Sequence, residues 1–315
     1  MTYAIISDIH GNYPALTATL DDAKAHGADM YLLLGDHTNR FPWANEIIDE
    51  LRNLSPAHII RGNGEDYYTD LQHVNKEDMT DAQFKSVYWA YNLFTPENLA
   101  YLLSLPETIT ISHVGTGIHL AHSIDLFYRP SVVGLFHTIN FHNMMMTSPI
   151  THREYLARGR EALLACPEAM ADIRALPGGI YLFGHNHLQF HTEIEGRIFI
   201  NPGSCGLPAD WDTTAPYILL SYENGRWTVS ERRVKYDLNT VIEGIDASGF
   251  SAYTPAFSQV LKLQLLSGKE YVGAFITHVL ETRKRLDPTV PRNEAWDIAV
   301  KTWDANNLGY ITWPG

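Results

Sequence analysis

Short apolar runs punctuate the first third of the chain, and each ends abruptly in small and polar residues. Tyr3–Ile6 runs into Asp8, His10 and Gly11, Met30–Leu34 into Gly35 and Asp36, and His58–Ile60 into Gly62 and Asn63. Runs of this length predict strands buried on both faces. Between them the period lengthens. Ala15 to His26 sets Leu16, Leu20 and Ala23 on one helical face and stops at Gly27, and Trp43 to Leu54 spaces Ile47, Ile48 and Leu51 for burial. Strands alternating with helices predict parallel βαβ units. In such sheets ligands bind beyond the carboxyl ends of the strands, and each polar cluster named above falls at one of those ends.

The pattern then loosens. Asp81 to Leu105 reads as helix broken at Thr95-Pro96, and Glu107–Ser112 with Gly117–Ala121 as a strand pair. Ile124 to Ser148 is loop-rich and aromatic, with the run Met144-Met145-Met146, and Arg153 to Leu176 is helical again. From Gly179 come short strands at Ile180–Phe183, Gln189–Ile194, Arg197–Ile200, Tyr217–Tyr222 and Trp227–Val234, with Glu195-Gly196 and Asn224-Gly225 as hairpin turns. After Tyr236 the period is helical again, over Pro255–Leu266, Glu270–Leu286 and Asn293–Asn306. The expected division is therefore an α/β unit over residues 1–236 and a helical extension over 237–315. Leu261, Leu265, Leu266, Val272, Phe275, Ile276, Val279 and Leu286 would give that extension apolar faces, for packing on the first unit or for dimerisation.

Composition narrows the partners. With 315 residues, 45% hydrophobic and 19% charged, the chain has material for a substantial core. A formal charge of −13 argues against a general duplex nucleic-acid binder. Small anionic substrates stay open, because a site can hold its own positive charge in metal ions. Two cysteines, Cys166 and Cys205, suit a reducing cytoplasm better than a disulfide framework. Neither a signal peptide nor an apolar stretch of membrane-spanning length is expected.

The polar groups at the strand ends form a coherent donor set. Asp8, His10, Asp36 and Asn63 are joined further on by His122, in HLAHS, and by His185 and His187, in FGHNHL. Oxygen and nitrogen donors in this mixture suit Mn²⁺, Fe²⁺ or Zn²⁺. Residues two apart in extended backbone point the same way, so Asp8 and His10 could share one ion, as could His185 and His187 if that segment is extended. Taken alone, Asp8 could equally be a helix N-cap.

The ordered series SDIHGN (7–12), GD (35–36), RGN (61–63), AHS (121–123), GHNH (184–187) and NPGS (201–204) resembles the calcineurin-like metallophosphoesterases, and most of all their small bacterial and archaeal phosphodiesterase-like branch. The resemblance spans roughly residues 1 to 235. It implies a four-layer α/β/β/α sandwich, here with a helical appendage, and a two-metal site where the sheets end. The first ion would take Asp8, His10 and His187, and the second Asn63, His122 and His185, with Asp36 bridging. A water between ions ~3.5–4 Å apart would be the nucleophile. Asn201-Pro202-Gly203-Ser204 would support the ligands, or form a plain turn.

Two positions depart from the family pattern. Many members carry a second Asp in GDxxD and a His in GNH[DE], a pair thought to stabilise the transition state or protonate the leaving group. Here those positions are Asn39 and Gly64. General acid assistance is worth about 10²–10⁴-fold, and its loss weighs least on leaving groups of low pKa. The departure therefore favours phosphodiester or phosphoanhydride bonds in small substrates, dinucleoside polyphosphates among them, over monoesters. His37 and Glu65 are candidate substitute acids, or solvent-facing polar residues. Arg61 could grip a substrate oxygen, or form a structural salt bridge. Segment 124–150, with Phe127, Tyr128, Arg129, His137, Phe141 and His142, could cover the metals, or could be a hydrophobic elaboration packing on the core or on a second subunit. The alternative functions are a phosphomonoesterase, including one acting on phosphoproteins, and a degenerate binding module of the kind seen in a retromer subunit.

Overall fold

The protein is described here from a computed structural model, which covers residues 1–127, 153–154, 157, 160–161 and 164–305. Most of the 124–150 insertion, with the covering role raised for it, lies outside the described residues. Among the described residues, ten strands form two five-stranded mixed sheets. The first sheet, in the order β10-β9-β1-β2-β3, uses β1 (Thr2–Ile6), β2 (Met30–Leu33), β3 (Ala57–Ile59), β9 (Ala215–Glu223) and β10 (Arg226–Val234). The second, in the order β4-β5-β6-β8-β7, uses β4 (Thr108–His113), β5 (Thr116–Ala121), β6 (Gly179–Leu182), β7 (Gln189–Ile194) and β8 (Arg197–Pro202).

The parallel pairing expected from the βαβ pattern holds for β1 with β2, β2 with β3, β5 with β6 and β6 with β8. The remaining pairs are antiparallel. The two hairpin turns take positive φ at both central residues, 52° and 73° at Glu195-Gly196 and 51° and 79° at Asn224-Gly225, as tight hairpins require.

Strand alternation sorts the apolar residues into layers. Tyr3 and Ile5, Leu32 and Leu34, Ile118 and Leu120, Ile180 and Leu182, Ile200, and Ile218 and Leu220 form the core between the sheets. Their neighbours point outward. Ala4, Ile6, Leu33 and Tyr217 pack under α1 (Tyr13–Ala25), α2 (Ala44–Asn53), α3 (Asn63–Leu71), α4 (Lys85–Leu93) and α5 (Pro96–Ser104). Tyr181, Phe183 and Phe199 pack against Met170 and Ile173 of α6 (Pro167–Ala175) on the other side. Both-face burial explains why these strands read as continuous apolar runs. The result is the expected four-layer α/β/β/α arrangement.

Beyond β10 lie α7 (Leu238–Ala247), α8 (Phe250–Tyr253), α9 (Pro255–Ser267), α10 (Tyr271–Arg285) and α11 (Arg292–Thr302). Their apolar faces enclose a core of their own, which also takes in Phe41 and Leu207 from the sandwich. The packing alternative for these helices is thus realised, although Leu266 stays outside it, 56% exposed. Among the described residues no helix is long and apolar enough to cross a membrane.

Candidate metal centre

All seven candidate ligands converge where the inner strands of both sheets end, but not by the extended alternation read from the sequence. β1 stops at Ile6, and Asp8, His10, Asp36, His185 and His187 adopt left-handed backbone, with φ of 52°, 55°, 52°, 72° and 57°. Asp, Asn and His enter this region more readily than other non-glycine residues, at a cost of about 1–3 kcal/mol each. Fixed backbone hydrogen bonds hold the turns in place. Asp8 and His10 donate their N–H groups to Gly35 O at 3.1 Å and Asp36 O at 2.8 Å, and Gly184 donates to His122 O at 2.9 Å. Asp8 is not an N-cap. That role falls to Asn12, whose Oδ1 accepts the Ala15 N–H at 3.2 Å. Asn63 sits at the first turn of α3, not at the end of a strand.

Two groups of donors result. His10 Nε2 and His187 Nε2 approach to 3.0 Å, and Asp8 Oδ1 lies 3.8 and 3.3 Å from them. On the other side Asn63 Oδ1 faces His122 Nε2 at 3.0 Å and His185 Nδ1 at 2.9 Å. Asp36 stands between the groups, with Oδ1 3.4 Å from His122 Nε2 and Oδ2 3.9 Å from His10 Nε2.

The chemistry of this set fits divalent cations. Asp8 Oδ1 is buried and accepts no hydrogen bond, an expensive arrangement unless something else satisfies it. Three imidazoles have their Nδ1 occupied: His122 donates to Leu34 O at 2.7 Å and His187 to Leu207 O at 2.9 Å, while His10 faces Asn39 Oδ1 at 3.2 Å. Each such bond fixes the tautomer that turns the Nε2 lone pair inward, as metal-ligating histidines require.

Electrostatics divide the four rings: burial opposes protonation of all of them, but Asp36 outweighs it at His122 and Asp8 at His187, and both are raised. Burial pushes His10 down to about 4, with His187 adding to it, and pushes His185 to about 4, with His122 adding to it. Both rings are therefore neutral at neutral pH. Burial works against ionisation of Asp8, but His122, His187 and His10 outweigh it and hold the carboxyl well below the usual range. Asp36 is likewise lowered against its burial by His122 and His10.

The expected substitute acids are placed elsewhere. His37 is 0% and Glu65 1% exposed, so neither faces solvent. Glu65 accepts the N–H groups of Asp36 (2.9 Å) and Gly62 (2.8 Å) on Oε2 and that of His37 (2.9 Å) on Oε1. With both oxygens engaged, it braces the Asp36 turn against the start of α3 and is not placed to hand on a proton. Burial and then Asp36 push its pKa up to about 8. His37 Nε2 donates to Ile60 O at 2.8 Å, and burial pushes its pKa down to about 4, so it holds no spare proton at neutral pH.

Arg61 shows the salt-bridge alternative. Its Nε lies 3.2 Å from Asp66 Oδ1, and the residue also lines a cavity of about 210 Å³ with Asn63, His122, Ser123 and His185.

The segment NPGS is more than a turn. Asn201 Nδ2 donates to Gly184 O and Asn186 Oδ1, both at 2.8 Å, and Ser204 Oγ donates to Asp8 O at 2.7 Å while accepting the Leu207 N–H at 2.9 Å. It ties the His185–His187 turn to the Asp8 turn. Asn39 also gains a task, since its Oδ1 partners His10, and Gly64 makes room for it. A Cβ at position 64 would lie 2.2 Å from Asn39 Nδ2 and 2.9 Å from Asp36 Oδ1. The carbonyl of Leu207, which holds His187, gave no signal in the sequence, because any residue supplies a carbonyl.

Comparison with known proteins bears on this arrangement. The family model for calcineurin-like phosphoesterases matches residues 1–189. The uncharacterized protein MJ0912 of Methanocaldococcus jannaschii is 26% identical over 261 residues, which is 77% of this chain and 90% of that one. Among solved structures, a metallophosphoesterase from Sphaerobacter thermophilus superposes with a TM-score of 0.60 at 22% identity, covering 85% of this chain and 100% of that one. The hypothetical protein PH1004 from Pyrococcus horikoshii OT3 gives 0.58 at 18% identity, covering 82% and 97%. Both share the fold.

Proposed function

The chain belongs to the calcineurin-like phosphoesterase family, and from that membership we propose that it hydrolyses phosphodiester or phosphoanhydride bonds of small substrates with two divalent ions. Asp8, His10 and His187 would hold one ion, Asn63, His122 and His185 the other, and Asp36 would bridge them. Mn²⁺, Fe²⁺ and Zn²⁺ all suit these donors. Such ions, when bound, lower the pKa of water and polarise phosphoryl oxygens.

The observation that carries this reading is the convergence of Asp8 Oδ1, His10 Nε2 and His187 Nε2 within 3.8 Å of one another, with that carboxylate oxygen buried and unbonded. The remaining residues have supporting tasks. Neutral His10 and His185 offer lone pairs without first losing a proton. Arg61, at the wall of the adjoining cavity, would meet a substrate oxygen there while sharing its charge with Asp66. Among the described residues, the candidate positions for the missing acid do not supply it. Asn39 carries no acidic proton, Gly64 has no side chain, and Glu65 and His37 are committed to the backbone. Substrates whose leaving group departs without protonation therefore suit this site. The chemistry and a content of only two cysteines, Cys166 and Cys205, fit work in a reducing cytoplasm.

The test is a substrate panel on protein stripped with chelator and reloaded with Mn²⁺. An aryl phosphodiester or diadenosine tetraphosphate should turn over faster than the aryl monoester, and only with metal. Much faster monoester cleavage overturns the leaving-group argument. Metal uptake with no turnover of any substrate favours the binding-module alternative.

A further inference from the structure

The family match ends at residue 189, yet the C-terminal helices reach the centre at two points, both on the side of Asp8, His10 and His187. One is Phe41. Its N–H donates to His10 O at 2.8 Å, and its ring lies in the helical core with Val241, Phe257 and Leu261. The other is the loop between β8 and β9. There Leu207 puts its side chain into the same core and its carbonyl on His187 Nδ1 at 2.9 Å.

Gln264 of α9 holds that second point. It is fully buried. Its Oε1 accepts the Val272 N–H at 2.9 Å, which settles the orientation of the amide. Its Nε2 then faces Leu207 O at 3.4 Å, Pro208 O at 3.3 Å and Glu270 Oε2 at 3.3 Å. A few residues on, Trp211 N–H donates to Gly268 O at 2.8 Å, where a Cβ on Gly268 would meet Trp211 C and Asp212 N at 2.8 Å. The loop is thus seated on the turn between α9 and α10. Among the described residues, Asn63, His122 and His185 have no hydrogen bond to these helices.

We infer that Gln264 is a positioning residue for His187, through Leu207, and that the C-terminal helices complete one of the two ion sites and not the other. The inference rests on the two-ion reading above. Partners of a ligating histidine typically govern metal affinity by 10–100-fold. Gln264 acts one step further out, so a loss near the lower figure is expected.

The test uses the full chain, stripped with chelator and titrated with Mn²⁺ in a calorimeter. Wild type should take up two ions. Gln264→Leu should weaken one site about tenfold and leave the other within twofold. Val279→Ala, which thins the same helical core away from the loop, should leave both within twofold. Should Gln264→Leu not fold, Gln264→Met has a similar length and no polar hydrogen and serves in its place. The inference is overturned if the Gln264 variant keeps both affinities, or if Val279→Ala weakens the same site as much. Wild type taking up fewer than two Mn²⁺ instead overturns the two-ion reading itself.

Discussion

Gly64→Ala adds one methyl group at one of the two positions where the sequence departs from the pattern it resembles. The methyl would lie 2.2 Å from Asn39 Nδ2 and 2.9 Å from Asp36 Oδ1. Overpacking of this kind costs about 1–3 kcal/mol. The easiest relief is for the Asn39 side chain to leave, which strands His10 Nδ1 in a buried place and costs about 1–3 kcal/mol more. Better helix propensity at position 64 returns roughly 0.5–1 kcal/mol. The net loss should be about 3 kcal/mol. Asn39→Ala alone also strands His10 and should lose about 2 kcal/mol. In the double variant the methyl group enters space already vacated, and the His10 penalty is counted once. The double variant should therefore cost only about 1 kcal/mol, about 4 kcal/mol less than the sum of the two single changes. Urea denaturation of the four proteins, in chelator so that ion binding does not mask the result, measures this coupling. Additivity to within about 0.5 kcal/mol would refute the steric argument and with it the physical reason that a histidine at 64 and an asparagine at 39 do not coexist here.

Asp36→Asn should lower turnover of the best substrate by about two orders of magnitude, since it removes the charge shared between the two donor groups; unchanged rates across the panel would remove Asp36 from the bridging position. Asn201→Ala loses two donated bonds and one accepted bond in a buried place and should destabilise the chain by about 3 kcal/mol in denaturant titrations. Stability in chelator should fall as pH drops. His37 has a folded pKa of about 4 against an ordinary 6.5, so the unfolded chain binds a proton in that interval that the native state refuses. Its contribution is complete above 6.5 and declines toward pH 4 by about 3 kcal/mol, and His37→Gln should show a shallower slope between those pH values.

The strands and the donor residues were legible in the sequence for linked reasons. Tyr3–Ile6 is apolar at every position because one face meets the second sheet and the other meets the helices, and the run breaks where the chain leaves the sheet to form the centre. The path of the chain through the centre was not legible. Alternation along an extended segment predicted that Asp8 and His10 share a direction, whereas left-handed turns bring them together. Periodicity describes regular backbone and says nothing about such turns. α3 went unpredicted because NGEDYYTDL carries few apolar residues and its placement depends on Glu65, whose burial no pattern of polar residues announces. The helical extension was legible as amphipathic segments, but not its grip on Leu207 through Gln264, a polar residue in the middle of an apolar face.

The left-handed turns restrict how this protein can be retuned. In the proposed two-ion centre, a residue at position 8, 10, 36, 185 or 187 would have to coordinate and also tolerate positive φ, and few residue types do both. Exchanging a histidine for a cysteine or glutamate, the usual route to a new metal preference, would change the donor atom and also bend the backbone that neighbouring donors hang from. Selectivity is therefore more open to alteration at Asn63, which sits on helical backbone, or at His122, than at the other five positions.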